Sequence, residues 1–169
     1  VIHGARRKLW IGSDHAGFDL KEYLKKNVLE MESSQSSHLK QEKIEWIDVG
    51  TSSLDSTDYP KWAQKLCQEI TLAKPTAQEW LQPLGVLICG SGVGVSISAN
   101  RFKKIRAVLA LREDIAKFSR AHNASNVLCL SGRLMQFHEA ESVLKSWFKV
   151  SFDGGRHQSR IELLDLDIS

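Results

Sequence analysis

The chain has 169 residues, 42% hydrophobic and 25% charged, with a net charge of +3. That is the size and balance of one soluble globular domain, 1–169, with a sizeable core. The basic residues are scattered, which argues against a nucleic-acid surface, and no apolar run nears the ~20 residues that cross a bilayer.

Val1-Ile2-His3-Gly4-Ala5-Arg6-Arg7-Lys8 leads into a strand and does not read as a signal peptide; the lack of a starting Met suggests a trimmed N-terminus. Cys67, Cys89 and Cys129 show no paired spacing. A reduced, cytoplasmic setting is the expectation.

Lys8–Gly12 predicts the first strand and Ser13-Asp14-His15-Ala16-Gly17 a turn. Phe18, Leu20, Tyr23, Leu24 and Val28 then give a helical stripe to about Met31. Asp14 and His15 thus fall where a strand ends and a helix begins, the place where open α/β sheets bind ligands. Asp14 fits a helix cap equally well. Glu32–Lys43 is polar and serine-rich and reads as a solvated surface insertion.

Ile44–Gly50 predicts the second strand, and Tyr59-Pro60 opens a helix with Ala63, Leu66, Cys67 and Ile70 on its apolar stripe. A second irregular insertion covers 74–83, with Trp80 and Leu81 as possible anchors. The third strand ends at Cys89. Arg106–Leu111 predicts the fourth, followed by a helix from Glu113 that turns Ile115, Ala116 and Phe118 inward. A loop over 121–126 carries His122 and Asn123. Val127–Leu130 predicts the fifth strand, Phe137–Val150 a helix, and the last turn leads to a short helix with Leu163 and Leu164.

Five strands alternating with helices predict a Rossmann-like three-layer αβα sandwich with a five-stranded parallel sheet. Polar candidates gather at strand C-termini: Asp14, Asp58 and Tyr59, Cys89, Arg133. His122-Asn123 precedes the fifth strand, so it falls at the opposite edge of the sheet. A site using both groups has to be shared between subunits.

The stretch Cys89-Gly90-Ser91-Gly92-Val93-Gly94-Val95 holds the most chemistry. Glycine there lets backbone N–H groups approach an anion at a helix N-terminus. The same field favours a thiolate at Cys89, which suits a base or nucleophile. A dinucleotide fingerprint from Gly90 needs glycine at 95, where Val95 stands. A P-loop needs a Gly-Lys-Ser/Thr that is absent. A cysteine-phosphatase loop needs an arginine near Val95 and Ser96, and the nearest is Arg101. A small phosphorylated or oxyanionic ligand fits better than a nucleotide.

The motifs Ser13–Gly17, Asp58-Tyr59-Pro60, Cys89–Gly94, His122-Asn123 and Gly154-Gly155-Arg156-His157-Gln158-Ser159-Arg160 occur in one family's order. The chain resembles ribose-5-phosphate isomerases of the B type, the family that includes the bacterial galactose-6-phosphate isomerase subunits, over about residues 8 to 165. The resemblance implies cofactor-free and metal-free interconversion of ribose 5-phosphate and ribulose 5-phosphate in the non-oxidative pentose phosphate pathway. Cys89 matches the catalytic base; another branch uses a glutamate where Val95 stands. His122 matches the residue that opens the sugar ring. Ser91 and the amides of Gly90, Gly92 and Gly94 match the anion hole, and Asp14 a sugar and ring-oxygen contact. His15, Arg133, Arg156 and Arg160 match phosphate and substrate positions, and Asn123 a substrate contact. Family members are homodimers or tetramers with sites shared by two chains. The alternatives are a hexose 6-phosphate substrate (allose or galactose) and a non-catalytic sugar-phosphate-binding module.

Overall fold

A computed structural model describes residues 6–35, 38–73 and 82–166. Strand β1 (Arg7–Ser13) passes through a short 3-10 turn (His15–Gly17) into helix α1 (Phe18–Asn27). Strands β2 (Glu30–Gln35) and β3 (His38–Asp48) follow, then α2 (Tyr59–Leu72). The chain continues through β4 (Gly85–Cys89), α3 (Val93–Ala99), β5 (Ala107–Leu109) and α4 (Glu113–Asn123). It ends with β6 (Val127–Ser131), α5 (Phe137–Lys149), a 3-10 turn (Gly155–His157) and α6 (Gln158–Leu164).

The strands form one sheet in the order β2-β3-β1-β4-β6-β5. Five run parallel, and β2 pairs antiparallel with β3, Glu30 opposite Lys43 and Ser34 opposite Leu39. The expected five-stranded, all-parallel sandwich is therefore corrected to a six-stranded mixed sheet. Its sixth strand comes from the stretch read as a solvated insertion. Of the buried ribbon positions, Ser33 and Glu42 are polar and only Met31 and Ile44 apolar, which hides the usual alternation. Met31 and Ser33 point in while Glu30 and Glu32 point out, and the buried Ser33 hydroxyl donates to the buried Glu42 carboxylate. The ribbon curls over the end of α5, where Lys149 Nζ meets Glu32 at 2.8 Å and Ser34 Oγ donates to the Lys149 carbonyl at 2.6 Å.

The parallel strands β4 and β6 are buried along their whole length, as sheets covered on both faces are. On one face, Leu20 and Leu24 of α1, Ala116 of α4 and Val143, Leu144 and Trp147 of α5 pack on Leu9, Ile11, Ile88 and Leu128. On the other, Ala63, Leu66, Cys67 and Ile70 of α2 and Val95 and Ala99 of α3 pack on Leu87 and Cys129. Each fully buried leucine contributes roughly 1.5–3 kcal/mol. Trp147 is fully buried and still satisfied, since its indole N–H donates to Ser125 Oγ at 2.7 Å.

Helix α1 stops at Asn27 rather than near Met31. Val28 and Met31 continue the buried stripe, but from extended backbone leading into β2. On α4, Ala116 and Ser119 face the core, while Ile115 and Phe118 are exposed, against the inward placement expected for them. The helix also runs through His122 and Asn123, where a loop was expected. Of the last helix only Ile161 is buried; Leu163 and Leu164 lie outside. Residues 74–81 of the second insertion, with the anchoring role of Trp80 and Leu81, lie outside the described residues. Among the described residues no helix is long and apolar enough to cross a membrane.

Candidate active site

Three segments meet at the C-terminal ends of β1, β4 and β6. Main-chain bonds fix them to one another: Asp14 N–H to the Ile88 carbonyl, Gly132 N–H to that of Cys89, and Arg133 N–H to that of Gly90. Asp14, Tyr59, Cys89, Gly90, Ser91, Gly94, Arg133 and Leu134 line a cavity of about 290 Å³ between them. That is the lower end of the range for small-molecule sites.

The Cys89 thiol is 4% exposed, and the Gly92 N–H donates to its Sγ at 3.2 Å. Gly92 makes this bond from φ +78°, and a side chain there would meet Leu109 Cδ1 at 2.5 Å. Gly94 is required for a different reason. A Cβ on it would lie 2.7 Å from Cζ of the Tyr59 ring, which closes one wall of the cavity. Arg133 is exposed, and its guanidinium lies against Gly90. Ser91 Oγ accepts from the Val93 N–H at 3.2 Å.

Asp14 does both things its sequence position allows. Its Oδ1 caps the 3-10 turn, accepting from the N–H groups of Ala16 and Gly17 at 3.0 and 3.1 Å, and the residue lines the cavity. His15 is not part of the cavity lining; its Nδ1 lies 3.2 Å from both the N–H and the carbonyl of Thr57, which sets the ring orientation. Cys67 and Cys129 are core thiols. Burial pushes Cys67 up to about 12 and Cys129 well above the ordinary thiol range.

His122, Asn123, Arg156 and Arg160 do not join this cavity within the chain. The register explains why. Cys89 pairs with Ser131 at one end of β4 and β6, and Gly85 pairs with Val127 at the other. His122 ends the helix that feeds Val127, so roughly 13 Å of strand separates the two levels. There His122 stacks on His157 with ring centroids 4.4 Å apart, and its Nε2 lies 3.9 Å from Asp153. Burial, then the charges of His122, Arg156 and Arg160, lower the basicity of His157. Arg156 and Arg160 are exposed. A larger hollow of about 630 Å³ borders Asn123, Arg101, Lys104 and Arg106, but among the described residues its lining has no thiol and no carboxylate other than Asp165.

Leu134 is the cavity residue that sequence reasoning missed; Tyr59, a polar candidate at a strand end given no role there, proves to be a wall of the cavity. For Tyr59 the available signal was Gly94, a glycine one residue into the helix, where only a close neighbour demands one.

A buried thiol that accepts from a backbone amide, a glycine turn and an arginine at the mouth share one cavity of an α/β fold. The family model for ribose/galactose isomerases matches residues 9–164. Ribose-5-phosphate isomerase B of Escherichia coli is 35% identical over 158 residues, covering 94% of this chain and 94% of that protein. The crystal structure of a ribose 5-phosphate isomerase from Thermotoga maritima superposes with a TM-score of 0.77 at 38% identity, covering 95% of this chain and 99% of that one. The Mycoplasma genitalium ribose-5-phosphate isomerase B, solved with bound ribulose 5-phosphate, gives 0.75 at 33% identity over 93% of each chain. The chain belongs to the ribose/galactose isomerase family and is an enzyme of that class.

Proposed function

We propose that the protein interconverts ribose 5-phosphate and ribulose 5-phosphate, with Cys89 as the base. The observation that carries this reading is the buried thiol held by the Gly92 amide inside a cavity shared with Asp14 and Arg133. In the proposed reaction Cys89 takes the proton from C2 of the open aldose to give an enediolate and returns it to C1, while the hydroxyl proton of O2 passes to O1. In the enediolate negative charge lies on O1, where Ser91 and the amides of Gly90 and Gly94 donate while the Gly92 amide holds the thiol; one such donor is typically worth about 3 kcal/mol in the transition state. Asp14 holds the sugar, and Arg133 with His15 serves the phosphate end.

Ring opening by His122, with Asn123, Arg156 and Arg160, needs a second copy of the chain. Support comes from the two-level arrangement and from apolar side chains left exposed beside it: Val93 and Ile97 on α3, Ile115 and Phe118 on α4. Phe118 lies 5.2 Å from the His122 ring, so a partner covering α4 approaches the histidine as well. We place the active sites between two subunits of a homodimer.

The test is turnover of ribose 5-phosphate in EDTA by wild type, Cys89→Ala and His122→Asn. Both variants should be inactive alone. Mixed and reassembled, they should recover about a quarter of wild-type activity, because half the dimers then hold one intact site of two. Wild-type turnover by Cys89→Ala would end the thiol-base reading, and absence of recovery would end the shared site. Turnover of allose 6-phosphate but not of the pentose would move the substrate to hexose phosphates.

A further inference from the structure

His122, Asp153 and His157 bring one ligand atom each to within 4.8 Å of one another. The chain builds this grouping with main-chain bonds. The Asp153 N–H donates to the Ala121 carbonyl at 2.9 Å, which docks the loop after α5 on the last turn of α4. The His157 N–H donates to Gly154 at 3.1 Å and seats its ring, only 8% exposed, flat against His122. The reaction proposed above gives His157 and Asp153 no task.

We propose that these three residues bind a single borderline transition-metal cation, Zn²⁺ in type, and that its occupancy blocks the protein by withdrawing the His122 imidazole from the sugar. The second half rests on the ring-opening role proposed for His122. Two imidazoles and a carboxylate suit Zn²⁺ over harder cations, and the fourth position is left to water. The cation would also sit at the C-terminus of an eleven-residue helix, where the macrodipole favours positive charge. Tetrahedral ligands with bonds of about 2.0–2.1 Å stand roughly 3.3 Å apart. Binding therefore draws the three atoms together by about an ångström, and His122, at the helix end and half-buried, is the ring that turns. Arg156 and Arg160 act electrostatically on His157 and oppose a dication, so this site is weaker than a closed four-ligand one.

The test is equilibrium dialysis of EDTA-stripped protein against Zn²⁺, with metal analysis, for wild type, Asp153→Asn and His157→Gln. Asp153 is exposed, so its variant keeps the fold even where loss of the His157 ring does not. The expected result is one Zn²⁺ per chain in wild type, with affinity reduced at least about tenfold in Asp153→Asn. Co²⁺ in place of Zn²⁺ should show a four-coordinate spectrum without a thiolate charge-transfer band. Zn²⁺ should inhibit wild-type turnover in step with occupancy, reversed by EDTA, while Asp153→Asn resists. Equal binding by all three proteins, or a thiolate band, overturns the site. Metal held through the triad with undiminished turnover keeps the site and refutes the ring-opening role of His122. Absence of turnover in metal-free wild type refutes the proposed function, and dialysis then judges the site alone.

Discussion

Gly92→Ala tests the construction of the thiol site directly. Two costs add at this position. An L-residue at φ +78° carries a left-handed penalty of about 1–2 kcal/mol. The new methyl would also stand 2.5 Å from Leu109 Cδ1 and 2.9 Å from the Leu130 carbonyl, an overpacking cost of about 1–3 kcal/mol. A total near 3 kcal/mol is a large part of the ~5–15 kcal/mol by which domains are stable. At about 2–4 °C per kcal/mol for a chain of this size, the melting temperature should fall by roughly 6–12 °C. Gly155→Ala is the control, because Gly155 also has positive φ, +56°, but among the described residues nothing lies within 4 Å of its Cβ. It should lose only the backbone part. Melts followed by circular dichroism give the difference between the two, which measures the clash. Isomerase kinetics then report the second effect: relief of the clash moves the Gly92 N–H off Cys89 Sγ, so kcat should fall more in Gly92→Ala than stability alone explains. Equal melting shifts in the two variants, with kcat intact in Gly92→Ala, would refute both the packing argument and the amide–thiol contact.

Iodoacetate at pH 8 should label Cys89 in the native protein and reach Cys67 and Cys129 only in denaturant, since burial raises both thiols; peptide mass spectrometry that finds Cys67 or Cys129 labelled as fast as Cys89 would contradict this. Burial pushes the Asp48 carboxyl up, but hydrogen bonds from Lys21 and Lys25 outweigh it and hold the group below its ordinary value. The stability this contributes is complete above about pH 4 and is lost as pH falls through the lowered folded value. Urea melts across pH should show a shallower acid decline in Asp48→Asn, together with a neutral-pH loss of at most about 3 kcal/mol, because buried Lys21 keeps Glu22 at 2.6 Å. Gly94→Ala should cost about 1–3 kcal/mol against the Tyr59 ring, and adding Tyr59→Ala should recover part of it; strictly additive losses would rule out the contact.

The strand–turn–helix around Cys89 is readable because Val86-Leu87-Ile88 has no polar position and the glycines follow at once. The separation of His122 from Cys89 is readable from chain order alone, since one follows a strand and the other precedes one. The β2–β3 ribbon is not readable in the same way. A strand announces itself by apolar alternation, and here the inward Ser33 and Glu42 satisfy each other instead. Ile115 and Phe118 mislead for the opposite reason: of the three apolar α4 residues that spacing assigns to the core, only Ala116 goes in, joined by Ser119, and the two large ones stand outside. Tyr59 is legible as a candidate from its place after a strand, but its approach to Gly94, which makes it a wall of the cavity, joins elements far apart in sequence.

The antiparallel ribbon also decides how the sheet ends. With β3 outermost, a row of free N–H and C=O groups would be open to any passing strand. Strand β2 occupies that row and turns Glu30 and Glu32 outward, so the new border is short and charged. The opposite border, β5, is three residues long. Charge at one border and shortness at the other both disfavour strand addition, so the sheet is guarded at its edges by different means.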